Sequence, residues 1–237
     1  MFALLFGVIS LLYATVGQAG GTAFLALMAF AAFSPSEMRP TALALNIVAA
    51  AYSTWVFNRK KVVDWRKLRP LLFSSPTALA GGFIALDERV YKTTTGAVLL
   101  LAGATMPFQR ELVADEDRGT PIWGALSVGA FVRLVSGLTG VGGGAFLAPA
   151  LIAMHWASPK QTAALSAPFI LANSAVGLVG VLLAGQSPSP HFGLYAPAAL
   201  GGAIVGTAIG LRWLGEVATR FVLAAILIAA GIQLVFF

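Results

Sequence analysis

No cysteine occurs among the 237 residues, which excludes a disulfide framework, a thiolate metal site and thiol redox chemistry. Charge is scarce too. Asp, Glu, Lys and Arg make up 10% of the chain, against about 25% in soluble domains, too little for a polar shell around a core. Acids are the scarcest: all nine (Glu37, Asp64, Asp87, Glu88, Glu111, Asp115, Glu116, Asp117 and Glu216) fall in expected loops or at the ends of apolar runs. No carboxylate is therefore placed to act as a buried proton relay. His155 and His191 stand far apart, with no acid at catalytic or metal-ligand spacing. No Ser or Thr sits in a nucleophile-elbow pattern, so neither an enzyme nor a metal or other cofactor is expected. The ten-residue alternation of an outer-membrane barrel is also missing.

What is present in quantity is apolar surface. Hydrophobic residues make up 58% of the chain and its mean hydropathy is +0.86, so the expected solvent is a lipid bilayer and the fold class an all-α polytopic membrane protein. The net charge of +6 then reads as Lys and Arg held on the cytoplasmic side, not as a nucleic-acid surface. Met1 to Phe33 lacks the basic start of a secretory signal and matches an internal segment after Ile122, so it is expected to be retained. Apolar runs fall near 2–16, 22–33, 40–57, 70–86 and 93–108, then near 121–139, 144–156, 161–185, 194–211 and 219–237. That is five runs, twice. The division expected is a first transmembrane repeat at 1–108, an acidic linker at 109–120 and a second repeat at 121–237, forming one integral membrane domain. Several runs are too short for a hydrocarbon core of about 30 Å and read as half-helices, giving about 8 to 10 membrane-embedded segments.

Charge decides how the short runs thread. If the first two runs of each half enter and return to the same side, one face collects eleven cations (Arg59 through Arg69, Arg110, Arg118, Lys160, Arg212 and Arg220) and the other only Arg39, Arg89 and Lys92. A single crossing per pair splits them eight to six. The first assignment obeys the positive-inside rule better. It makes the halves an inverted-topology repeat, with both termini on the non-cytoplasmic face of a bacterial inner membrane.

Glycine marks the expected site. Ser136 to Leu147 contains Gly137, Gly140, Gly142, Gly143 and Gly144, and Thr15 to Ala26 is its degenerate twin, with Gly20, Gly21, Phe24 and Leu25 matching Gly142, Gly143, Phe146 and Leu147. Glycine opens the backbone to a ligand, and the first N–H groups of a half-helix favour an anion. By contrast Gly202, Gly206 and Gly210, every four residues, are read as helix packing. Arg133 is the one charge well inside an apolar run, ~18 Å along a helix from Pro121 and two turns before Gly140. Its place in the first half falls to Ser10 or Leu11. Neutral groups able to line the same space are Gln18, Thr22, Thr41, Asn46, Ser136, Thr139, Gln161, Ser166 and Asn173, with Asn46 and Asn173 at comparable places in their halves. The substrate-binding set expected is Arg133, Gly20, Gly21, Thr22, Asn46, Thr139, Gly142, Gly143, Gly144, Ser166 and Asn173.

With Gly140, Gly142, Gly143 and Gly144 in place and a second glycine-rich segment opening the first half, the chain resembles the sulfite exporter TauE/SafE family of bacterial membrane transporters. The first copy departs from the pattern at Ala19 and Thr22. The resemblance implies movement of small anions such as sulfite, organosulfonates or related organic anions, by alternating access around a midplane site. The partners expected are that anion and the bilayer, with room for a homodimer and no nucleic acid. The competing reading is a membrane assembly or scaffold protein whose glycines serve packing alone.

Overall fold

In a computed structural model the residues described are 2–31, 33–73, 75–83 and 121–213, with isolated positions between 89 and 104 and between 221 and 235. The linker 109–120, both terminal residues and most of the runs at 93–108 and 219–237 lie outside them. The described chain is helical, without strands: α1 (Phe2–Ala14), α2 (Gly21–Phe30), α3 (Pro35–Arg59), α4 (Trp65–Phe73), α5 (Ser75–Phe83), α6 (Ile122–Thr139), α7 (Gly144–Ala153), α8 (Pro159–Leu183) and α9 (Phe192–Trp213). Of these, α3, α6, α8 and α9 are long and apolar enough to cross a membrane. The ten-residue α2 and α7 are each ~15 Å long and reach about half-way. The fold is that of a polytopic membrane protein.

Helix boundaries follow local chemistry. Both long central helices begin at a Ser-Pro pair, Ser34-Pro35 and Ser158-Pro159, with proline in the first turn where no N–H is missed. At α8 the Ser158 hydroxyl accepts from Gln161 N at 3.3 Å while Ser158 N donates to the Gln161 side chain at 3.2 Å. This capping box uses up Gln161, which is therefore not a lining residue. The charged stretch after Lys61, expected as loop, is helical from Trp65. Asp64 accepts from Arg66 N and Lys67 N at 2.9 and 3.3 Å, which starts α4. Leu68 and Leu71 are buried on one side of α4 while Arg66 and Arg69 stay exposed.

Helices α3 and α8 pack side by side at the centre. On one flank α9 rests on α1; on the other α5 rests on α6. The α1–α9 seam is made by Gly202, Gly206 and Gly210, whose missing side chains leave room for the backbone of Gly7, Leu11 and Thr15, as the four-residue spacing implies. Gly81 and Gly137 make the matching seam between α5 and α6.

Contacts between helix ends show how the short pairs run. At one end the rings of Phe6 and Phe33 lie 4.7 and 6.4 Å from Tyr195, and Ser189 N donates to Thr41 Oγ1 at 2.8 Å. The start of α1, the α2–α3 connection and the start of α9 therefore share that end. Elsewhere Lys67 Nζ donates to Trp156 O at 3.1 Å, and Gly124 lies against the Trp156 ring. The starts of α4 and α6 and the α7–α8 connection meet there. Each short pair thus returns to the end from which it set out.

Candidate anion site at the crossing of two glycine turns

Between α1 and α2, and again between α6 and α7, the chain reverses through glycines in the left-handed region: Gly17 and Gly20 (φ 73° and 108°), then Gly140, Gly142 and Gly143 (75°, 87° and 88°). L-residues other than glycine rarely adopt this geometry. Gly17 and Gly140 end the outgoing helices, Gly20 and Gly143 precede the returning ones, and Gly21 and Gly144 begin them. The register therefore differs by one residue from the sequence match of Gly20-Gly21 with Gly142-Gly143. In the structure Ala19 stands opposite Gly142, and Thr22 opposite Ala145. Only Ala19 replaces a left-handed glycine of the second turn, since the structural register depends on where each helix starts and not on the Phe-Leu pair that follows.

The two turns cross each other. Gly21, at the start of α2, packs against Val141 O and the Asn46 amide. Gly144, at the start of α7, packs against Ile170, with Gln18 Cδ 3.7 Å from where its Cβ would be. Each helix start thus meets the opposite turn. Aligned on their own Ser-Pro starts, α3 and α8 place Asn46 opposite Ile170 and Asn173 opposite Ala49, so the two asparagines do not occupy equivalent positions. Between the turns is a cavity of about 10 Å³ lined by Gln18, Gly20, Gly21, Thr22, Asn46 and Gly144, among others. It has room for about one water molecule.

Polar groups around this point are buried and incompletely paired. Asn46 Nδ2 donates to Val141 O at 3.2 Å, but its Oδ1 has no partner, and neither has Gln18 Nε2. Thr22 is engaged with the Tyr13 hydroxyl at 2.6 Å. Around the second turn, Gly142 lies against the Asn46 amide and Ser174 Oγ, and Gly143 against Phe169, Asn173 and Ser136. Asn173 Nδ2 donates to Ser136 Oγ at 2.6 Å, leaving Oδ1 unpartnered. Thr139 belongs to the turn itself, its hydroxyl donating to Ser136 O and accepting from Val141 N, both at 3.4 Å. Ser166 is fully buried on α8 with no hydrogen-bond partner and does not line the cavity.

Arg133 has no exposed surface. Its Nε donates to Leu71 O on α4 at 3.1 Å, its Cζ lies 4.8 Å from the centre of the Phe169 ring, and both terminal nitrogens lack partners. Its counterpart in the first half is Ser10, whose hydroxyl donates to Ala199 O on α9 at 2.7 Å. Both side chains tie an outgoing helix to the backbone of its flanking neighbour. Only the arginine brings a charge. Phe169 stands between Arg133 and Gly143: its Cε1 is 2.9 Å from the position a Gly143 Cβ would take. The structure therefore gathers Gly20, Gly21, Thr22, Asn46 and Gly144 around the cavity and places Gly142, Gly143, Thr139 and Asn173 alongside. Arg133 sits one aromatic ring away.

Among the described residues the centre is electrostatically one-signed. Half-helices α2 and α7 direct their first N–H groups and positive dipole ends toward the crossing. Of the nine acids only Glu37 and Asp64 are among the described residues, in the first turn of α3 and at the cap of α4. Comparison with known proteins agrees in kind: the model of the family described as Sulfite exporter TauE/SafE matches residues 2–234. The chain belongs to that family. It is 36% identical to the probable membrane transporter protein y4hK of Sinorhizobium fredii (strain NBRC 101917 / NGR234) over 237 residues, 98% of this chain and 96% of the relative. No solved structure matches the chain.

As a TauE/SafE protein, the chain is a membrane transport protein, and several of its central residues carry no sequence signal of their own. Phe169 and Ser174 look like ordinary members of an apolar run until α8 is packed against the second turn. Arg39, assigned by charge to a loop, is half-buried inside α3. Its Nη2 donates to Gly137 O at 2.9 Å and Gly82 O at 3.2 Å, joining α3 to the ends of α5 and α6. A Cβ on Gly140 would lie 3.3 Å from Arg39. Its Ser-Pro-x-x-x-Arg setting could have shown that it lies one turn inside a helix.

Proposed function

We propose that this TauE/SafE protein moves small oxyanions (sulfite, organosulfonates or related organic anions) across a bacterial inner membrane by alternating access around the crossing of its two glycine turns. One observation carries the reading. Two half-helix starts converge on a buried cavity beside unpartnered buried polar groups and a buried arginine, and the one acid in the described spans, Glu37, stands in the first turn of α3. Such a centre attracts anions and repels cations. The family description, Sulfite exporter, and the relative's name, a probable membrane transporter, point the same way.

The geometry suggests the sequence of events. The cavity seats one oxygen of the anion, among the first N–H groups of α2 and α7 and Gln18 Nε2. It is too small for a whole oxyanion, so the anion enters only when the flanks part around α3 and α8. Arg133 supplies the balancing charge once Phe169 has moved. The return of each short pair to its own end supports an inverted repeat of 1–108 and 121–237 joined by 109–120, with both termini non-cytoplasmic. Saturable uptake of radiolabelled sulfite into proteoliposomes, competed by small sulfonates and carboxylates but not by cations, is the expected result. Liposomes no more permeable than protein-free controls to every such anion would refute the reading.

A further inference from the structure

Phe169 is fully buried between the second glycine turn and Arg133. One edge of its ring closes on Gly143, while the ring lies 4.8 Å from the guanidinium carbon of Arg133. The guanidinium is held by its Nε on Leu71 O, and its terminal nitrogens, unreached by solvent, have no hydrogen-bond acceptor. With the guanidinium inaccessible to solvent, the aromatic face is the compensation visible for that charge, and cation–π attraction is strongest when desolvated. Pro168, immediately before Phe169, lies inside α8. It deprives that turn of one backbone hydrogen bond, which lowers the cost of bending α8 where it bears the ring.

We propose that Phe169 is a positioning residue that sets anion affinity: its ring holds the Arg133 guanidinium when no anion is bound and is displaced as the anion pairs with the terminal nitrogens. This rests on the transport reading above and adds to it a competition between ring and substrate for one charge. Weakening the ring's hold tightens anion binding, and strengthening it does the reverse. A residue that merely filled space would not give effects of opposite sign.

The test is radiolabelled sulfite uptake into proteoliposomes by wild type, Phe169→Leu, Phe169→Met and Phe169→Trp, with KM and kcat separated and thermal midpoints measured on the same preparations. Leucine and methionine keep apolar bulk without a π face, whereas tryptophan binds cations best, so KM is expected to fall about 3- to 30-fold in the first two and to rise in the third. If Phe169→Leu fails to fold, the more adaptable methionine decides. An unchanged KM, or one that rises in the leucine and methionine variants, overturns the proposal while leaving transport itself intact. Absence of uptake by wild type overturns the transport reading instead.

Discussion

Arg133 carries the sharpest expectation at the scale of single residues. A guanidinium with no exposed surface and two unpartnered nitrogens is destabilising as it stands, and an arriving oxyanion would satisfy both donors in a planar fork. Hydrogen bonds to charged groups contribute about 1.5 to 3 kcal/mol, so Arg133→Ala should cut sulfite affinity roughly 10- to 100-fold by titration calorimetry. Arg133→Lys should restore part of it, since lysine keeps the charge but not the fork. The alanine variant also removes the hydrogen bond from Arg133 Nε to Leu71 O, so its thermal midpoint has to be followed alongside. Unchanged affinity would make Arg133 a structural counterpart of Ser10 and no more. Gly143 gives a second test: at φ 88° with Phe169 2.9 Å from a Cβ, Gly143→Val should abolish uptake, and full activity there would remove the second turn from the site.

Among the helices, glycines that look alike in sequence differ in what surrounds them. Gly206 faces Leu11 O on α1 with no space for a side chain, whereas Gly201, on the same helix, has nothing within 4 Å. Gly206→Leu should therefore separate α9 from α1 and lower the thermal midpoint by several degrees, while Gly201→Leu should leave it unchanged. Equal effects would mean that the seam adds nothing to stability. The same contrast explains α4. Hydropathy assigns Arg66, Lys67 and Arg69 to a loop, but one Asp64 cap and two buried leucines on the inner side suffice for a helix whose Arg66 and Arg69 stay exposed while Lys67 reaches Trp156 O.

For the whole molecule the question is orientation. The absence of native cysteine lets single cysteines report on it without removing any. Ser187, exposed in the α8–α9 connection, shares the end of the molecule where α1 starts; Lys61, exposed after α3, lies at the other. Because the cations gather beside Lys61, a membrane-impermeant maleimide should label Ser187→Cys in intact cells and Lys61→Cys only after permeabilisation. The reverse pattern would invert the topology, and labelling of both from outside would refute the way each short pair is read to return.

The sequence by itself determined the solvent and the apolar helices, because both depend on a property that runs along the chain, hydropathy over a span's length. It singled out Arg133 for the same reason, as a charge where the run has none. Which atoms share the centre was decided only in three dimensions. The register of the two turns follows from where α2 and α7 begin. The pairing of Asn46 with Val141 and of Gln18 with Gly144 exists only because the turns cross. Phe169 is one apolar residue among many until α8 lies against α6, and Arg39 is a loop cation until α3 brings it to the carbonyls of Gly82 and Gly137. Contacts between segments distant in sequence depend on backbone approach at glycines, and hydropathy does not encode which glycine meets which backbone.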